Sequence, residues 1–153
     1  MMRIKSSSVA RIAATAALLA LSSSGWTGAP TTVNVLLQDS SSDPTLQSMM
    51  RIHLDRDTVP TGTVTFRAVN QSKAAVHEVI VVRPKTGHVA LPYDDKKSEV
   101  DERRIQRLGE ISDLKPGASG ALTLTLKPGS YLLICNQPGH YKAGMSTTLS
   151  VTK

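Results

Sequence analysis

The single cysteine of the chain lies in a segment whose side chains are spaced to bind a metal ion. In Cys135-Asn-Gln-Pro-Gly-His140-Tyr-Lys-Ala-Gly-Met145, a thiol, an imidazole and a thioether follow one another at intervals of five residues. These are soft or intermediate ligands, and as a set they suit copper better than other common metals. Pro138-Gly139 and Gly144 favour tight turns between them. We therefore expect a compact loop that turns all three side chains inward around one copper ion.

A copper site of this kind needs a second imidazole from another part of the chain, because blue-copper geometry combines two histidines and a cysteine with a weak axial methionine. The remaining histidines are His53, His77 and His88. Alternation places His77 on the core side of an apolar segment, together with Val79, whereas His53 faces away from the apolar residues of its own segment. His88 lies in a charged stretch where nothing orients it. We choose His77, because the end of a rigid strand preorganises a ligand.

The segments that must position these ligands have the pattern of β-strands. Alternating or continuous apolar runs are separated by Pro-Gly pairs and polar loops, at residues 32–38, 48–54, 63–69, 77–83, 121–126, 131–135 and 146–152. The run at 131–135 is apolar throughout, which suits a central strand covered on both faces. About seven short strands at this spacing predict an all-β, antiparallel sandwich of two sheets.

Residues 85–109 interrupt this pattern with a charged surface segment. Ser98 with Asp101 resembles a capping box, Glu99 and Arg103 have the spacing of one helical turn, and Gly109 resembles a helix stop. We therefore predict a short helix over residues 99–108, with its charges on a solvated face.

The first 29 residues have the composition of a signal peptide. Arg3, Lys5 and Arg11 precede an apolar run at 12–21, and Thr27-Gly-Ala29 suits a cleavage site. The run is short for a membrane span, so we expect export to the periplasm or secretion, with a retained N-terminal anchor as the alternative. The predicted domain is then residues 30–153, without stable membrane insertion after cleavage.

Charge and cysteine content narrow the function of that domain. It keeps 15 of the 18 basic residues and all 12 acidic ones, and the basic residues are scattered. This balance argues against nucleic-acid binding. A lone cysteine cannot form an internal disulfide, so in an oxidising compartment it must be buried or held by a metal. We expect a monomer.

The pattern His77 … Cys135-x4-His140-x4-Met145, with the loop between two strands, resembles the cupredoxin family over nearly all of residues 30–153. The resemblance implies a Greek-key β-sandwich with one type 1 copper. It further implies His77, Cys135 and His140 as equatorial ligands and Met145 as the axial ligand. One position departs from the family pattern: many cupredoxins have Asn or Ser after the strand histidine, where it joins the two ligand loops. Here that residue is Glu78, which alternation points away from the copper.

The predicted ligand set favours electron transfer over catalysis. Four protein ligands leave no open position for a substrate, and the chain has no His-x-His pair of the kind found in multicopper oxidases. The resemblance implies that His140 reaches the surface through an apolar patch. We expect a redox partner to dock near His140 and Tyr141, with Pro138 and Leu91-Pro92 on the rim and Lys142 favouring an acidic partner.

A second function uses the same ligands in another way. A periplasmic copper-binding protein for tolerance or metal handling would simply hold the ion. Met49, Met50 and His53 could form an accessory Cu(I) site, but alternation places Met49 and Met50 on opposite faces of their segment.

Overall fold

The computed structural model describes residues 30–39, 50–85 and 90–153, and their regular secondary structure is almost entirely β-strand. In chain order the strands are β1 (Thr31–Gln38), β2 (Arg51–Leu54), β3 (Thr58–Pro60), β4 (Gly62–Asn70), β5 (His77–Arg83), β6 (Tyr93–Asp94), β7 (Glu99–Val100), β8 (Gln106–Leu114), β9 (Ser119–Leu126), β10 (Gly129–Ile134) and β11 (Ser146–Thr152). One short 3₁₀ turn, Glu102–Arg104, separates β7 from β8. The all-β prediction is confirmed. The predicted signal segment, His88 and Met49 lie outside the described residues.

Two sheets carry the fold, with strand orders β2-β1-β4-β9 and β3-β11-β10-β5-β8, and β6 and β7 form a small separate ribbon. The sandwich is not wholly antiparallel as predicted, since β1 runs parallel to β4 and β3 runs parallel to β11. Alternation reports which face of a strand is buried but not the direction of its neighbour, so the sequence pattern could not reveal these two pairs.

The core lies between the sheets and follows the predicted alternation. Val33, Val35 and Leu37 of β1 face Val79 and Val81 of β5 within one apolar cluster, and all five are fully buried. Polar residues, among them Thr32, Asn34 and Gln38, occupy most outward positions of β1. The inner faces therefore position the strand ends from which the site is built.

A second apolar cluster covers the outer face of the five-stranded sheet. Ile80 and Val82 of β5 and Leu132 and Ile134 of β10 are buried there, and the partly buried residues packed on them include Leu91, Tyr93, Ile105 and Tyr141. The chain from 90 to 105, here called the excursion, supplies the first three of those packing residues. This second layer explains why the sequence at 131–135 is apolar on both faces, and β10 is central as predicted.

The predicted helix at 99–108 is wrong apart from the single 3₁₀ turn. Asp101, rather than Ser98, caps that turn by accepting a hydrogen bond from the Arg103 amide. Gly109 does not end a helix; it lies in β8 opposite Val81. A Cβ added there would lie 3.0 Å from a Leu122 methyl group, so the glycine allows the two sheets to pack closely. Pairing of β7 with β6 and of β8 with β5 therefore outweighed the local helical spacing.

No helix in the described part of the chain is long and apolar enough to cross a membrane.

Candidate metal centre

The first predicted ligand, His77, is positioned by a loop that a buried asparagine anchors. The Asn70 side chain is fully buried, and its Nδ2 donates to the carbonyls of Ala75 at 2.9 Å and Leu114 at 2.7 Å. Its Oδ1 accepts a hydrogen bond from the Ser72 amide at 2.9 Å. These bonds fold residues 70–76 against β8, so His77 enters β5 with its ring completely buried.

The other three predicted ligands lie on the loop that joins β10 to β11. The Cys135 amide donates to the Met145 carbonyl at 3.1 Å, and the Met145 amide donates to the His140 carbonyl at 3.0 Å. Gly139 and Gly144 have φ angles of +83° and +92°, which residues other than glycine rarely adopt. The loop is therefore closed on itself by its own backbone, as its turn residues predicted.

The fold brings His77, Cys135 and His140 together. The two imidazole Nδ1 atoms lie 3.2 Å apart, and the Cys135 sulfur lies 3.8 Å from Nδ1 of His77 and 3.4 Å from Nδ1 of His140. Among the described residues, these three form the group able to hold a metal ion. Met145 is fully buried in the same cluster as Cys135, whereas His53 is exposed on β2.

Glu78 joins the two ligand-bearing segments, a role that the sequence pattern left open. Its Oε1 accepts a hydrogen bond from the Asn136 amide at 2.9 Å, and Asn136 directly follows Cys135. The family resemblance assigned this tie to Asn or Ser, and here a glutamate forms it. Burial, opposed by the Asn136 amide and reinforced by Glu110, raises the pKa of Glu78 to about 7.

Asn136 then connects the metal loop to the excursion, and sequence reasoning missed this contact. Its Oδ1 accepts from the Val100 amide at 2.6 Å, while its Nδ2 donates to the Val100 carbonyl and to Oε1 of Glu102, each at 3.1 Å. The Gly139 amide also donates to the Ser98 carbonyl at 2.7 Å. The loop is thus held by residues about 36 positions earlier in the chain, and nothing local signals that pairing.

The electrostatics of the site suit a metal cation. Burial raises the pKa of the Cys135 thiol to about 11, although the amides of Glu78 and Gln137 favour the thiolate. Burial also lowers the pKa of His77, which the proximity of His140 lowers further, and it lowers the pKa of His140. The metal-free site therefore holds a neutral thiol and imidazoles ready to act as ligands, and metal binding must displace the thiol proton.

One polar atom of the site has no protein partner. The Nε2 atom of His77 is buried, and no hydrogen-bonding group in the described residues reaches it. A protein keeps such an orphaned atom at a cost of about 1–3 kcal/mol. The Nδ1 side of the ring faces Cys135 and His140, so the orientation of His77 suits metal binding and does not satisfy the Nε2 atom. Two imidazoles, a thiolate and a nearby thioether form a donor set that fits copper.

Comparison with known proteins agrees with this geometry. Residues 48–152 match the family model described as copper binding proteins, plastocyanin/azurin family. A segment of 40 residues is 58% identical to Auracyanin-B of Chloroflexus aurantiacus; it covers 26% of this chain but only 17% of that protein.

Solved structures share the fold over most of the chain. A sodium-dithionite-reduced auracyanin from Roseiflexus castenholzii superposes with a TM-score of 0.57 at 26% identity, covering 82% of this chain and all of that one. Rusticyanin from Thiobacillus ferrooxidans superposes with a TM-score of 0.51 at 21% identity, covering 81% of this chain and 79% of that one. At that identity, the second likeness concerns the fold alone.

Proposed function

This chain belongs to the copper-binding plastocyanin/azurin family, the cupredoxins, and we propose that it is an exported one-electron carrier. The proposed ligands of its type 1 copper are His77, Cys135, His140 and Met145. The observation that carries the proposal is the convergence of two imidazole Nδ1 atoms on one buried thiol, all within 4.8 Å of one another.

The setting of these ligands favours electron transfer. Copper supplies the one-electron chemistry when bound, by alternating between Cu(I) and Cu(II). His77 is held by a strand, and the loop is closed by its own hydrogen bonds and by Asn136, so neither segment needs to move when the charge changes. Burial of Cys135 and Met145 excludes water, and four protein ligands leave no position for a substrate. We therefore propose that the chain carries electrons and is not an enzyme.

His140 is the proposed exit for the electron, because its ring is only partly buried while the other three proposed ligands are completely buried. Tyr141 lies beside it and stacks on Tyr93 with ring centroids 6.2 Å apart. Lys142 pairs with Asp95 and lies 4.3 Å above the Tyr93 ring, so part of its charge is already offset. We place the docking of a redox partner on this edge of the loop.

Export through a signal peptide at residues 1–29 remains part of the proposal, with residues 30–153 as the periplasmic or secreted monomeric domain. The free thiol supports it, since Cys135 is fully buried and a bound metal would protect it further in an oxidising compartment.

The test is a visible spectrum of the mature domain loaded with Cu(II). We expect an intense thiolate-to-copper absorption band that is reversibly bleached by a one-electron reductant. Cys135→Ala should abolish the band, whereas the matched variant Ser130→Ala, an exposed site on β10, should retain it. A band that survives in Cys135→Ala would overturn the ligand assignment. A band that resists both reduction and reoxidation would favour simple copper storage.

A further inference from the structure

An open groove of about 680 Å³ lies on the outer face of the five-stranded sheet. Apolar side chains, including Val82, Leu91 and Ile105, form its floor, and these belong to the outer apolar cluster. Four cationic residues line it: Arg83, Lys85, Arg103 and Arg104. We call this surface, defined by those four cations and that floor, the basic groove. It contains none of the four proposed copper ligands.

The positive charge of the basic groove is largely uncompensated. Asp101 pairs with Arg103 through two hydrogen bonds of 2.9 and 3.0 Å and offsets that one cation. In the described part of the chain, no carboxylate lies within ion-pair distance of Lys85 or Arg104, and both are exposed. Among the same residues, Arg83 also lacks a carboxylate partner, but it is only partly exposed, since its guanidinium lies 5.6 Å from the centre of the Tyr131 ring and donates to the Pro128 carbonyl. None of the described residues that line the groove is acidic. Exposed like charges beside an apolar surface raise the local concentration of anionic partners and their rate of association.

The basic groove is also linked to the metal loop. The Leu91 amide donates to the Tyr141 hydroxyl at 3.2 Å, and Tyr141 directly follows His140. A surface that covers the Leu91 end of the groove would therefore extend toward the edge where His140 is partly exposed. Lys142, the only cation on the loop itself, is paired with Asp95 and cannot supply the same free charge.

We propose that the basic groove is the docking surface for an acidic face of the redox partner. Partner carboxylates would contact Lys85 and Arg104, and an apolar side chain would rest on the floor beside Leu91. An open shape with exposed cations suits a protein surface, because a small anion is held by donors that converge on one point. This inference rests on the proposed electron-carrier function. It assigns the attraction of an acidic partner to the cations of the groove and not to Lys142.

The experiment measures the rate at which the reduced, copper-loaded mature domain gives one electron to hexacyanoferrate(III), which becomes hexacyanoferrate(II). The groove variant is Lys85→Glu/Arg104→Glu. The matched control is Arg67→Glu/Lys153→Glu, which makes the same charge change at exposed sites on the other sheet and at the C-terminus. The cationic oxidant tris(phenanthroline)cobalt(III) is the second probe.

At low ionic strength, the groove variant should react with hexacyanoferrate about tenfold more slowly than the control, and the difference should vanish at high salt. Its reaction with the cationic oxidant should be unchanged or faster. A poly-glutamate peptide should slow the wild-type reaction with hexacyanoferrate and leave the groove variant unaffected. Equal rates for groove variant and control would overturn the proposal.

Two further outcomes would also overturn it. Co-sedimentation with vesicles containing anionic lipid that is lost in the groove variant, without inhibition by poly-glutamate, would assign the groove to a membrane. Inhibition by inorganic phosphate as strong as that by poly-glutamate would assign it to a small anion. Failure of the proposed function looks different, because the wild-type domain would then show no visible band and would react with neither oxidant.

Discussion

Two buried asparagines anchor the two sides of the metal centre, and their surroundings differ. Asn70 holds the segment that leads into His77, and its partners are Ser72, Ala75 and Leu114. Asn136 holds the loop that carries His140, and its side chain bonds to Val100 and Glu102, both in the excursion. Asn70 is fully buried, while Asn136 retains 6% of its exposure.

The two histidines therefore differ in the part of the fold that holds them and in their exposure to solvent. His77 is fixed by the sandwich itself, because Asn70 bonds within the loops that connect its strands. His140 is fixed by a segment added on top of the outer sheet face, and its ring keeps contact with solvent. The strand holds His77 rigidly, and the loop gives His140 access to solvent, so the two proposed ligands should respond differently to the same substitution.

The largest expected difference concerns replacement of each histidine by glycine. His140→Gly opens a partly exposed gap, and free imidazole should enter it and restore the thiolate-to-copper absorption. His77→Gly opens a gap that is closed to solvent, so imidazole should restore far less of the band. The measurement is a titration of both copper-loaded variants with imidazole. Equal recovery would contradict the division between a buried and an accessible ligand.

A smaller effect is expected from removal of the two anchors. Asn70→Ala leaves two carbonyls and an amide without partners in the interior and should lower the free energy of unfolding by about 3 kcal/mol. Asn136→Ala should cost about 2 kcal/mol, because Glu102 is exposed and water can replace one bond. Denaturant unfolding of the metal-free domain measures both, and Asn34→Ala, at an exposed amide bonded to Asp55, is the control.

The visible spectra of the copper-loaded variants should also distinguish Asn70 from Asn136. Asn136→Ala should shift the thiolate-to-copper band, because it frees the residue next to Cys135, and Asn136→Gln should not restore it since the longer side chain cannot reach Val100 in the same geometry. An unshifted band in Asn136→Ala, with a shifted one in Asn70→Ala, would reverse the assignment of the two anchors.

The smallest expected effect is the pH dependence of stability in the metal-free domain. Folding raises the pKa of Glu78 from 4.5 to about 7, so its contribution is present below pH 4.5 and is lost as the pH rises through 7. Folding lowers the pKa values of His77 and His140 below 6.5, so their contribution is present above pH 6.5 and is lost as the pH falls. As the pH rises, Glu78 therefore lowers the stability of the fold, whereas His77 and His140 raise it.

Replacement of Glu78 by glutamine should remove the pH-dependent contribution of the carboxylate and keep the hydrogen bond from the Asn136 amide. We expect the free energy of unfolding of Glu78→Gln to increase between about pH 5 and pH 7 more steeply than that of the wild type. Parallel urea titrations across this range test it. Identical slopes would show that Glu78 does not titrate with the fold.

Local sequence patterns indicated the proposed ligands and most of the strands. Cys135, His140 and Met145 were recognisable from spacing within one loop, and alternation selected His77 over His53, because both signals are local. The contacts that hold these parts in place became visible only in the folded chain. The Glu78–Asn136 bond joins residues 58 positions apart, and Asn136 meets Val100 across 36 positions. The basic groove likewise combines Arg83 with Arg104. Local periodicity carries no information about such distant partners, since they meet only after the sheets have packed.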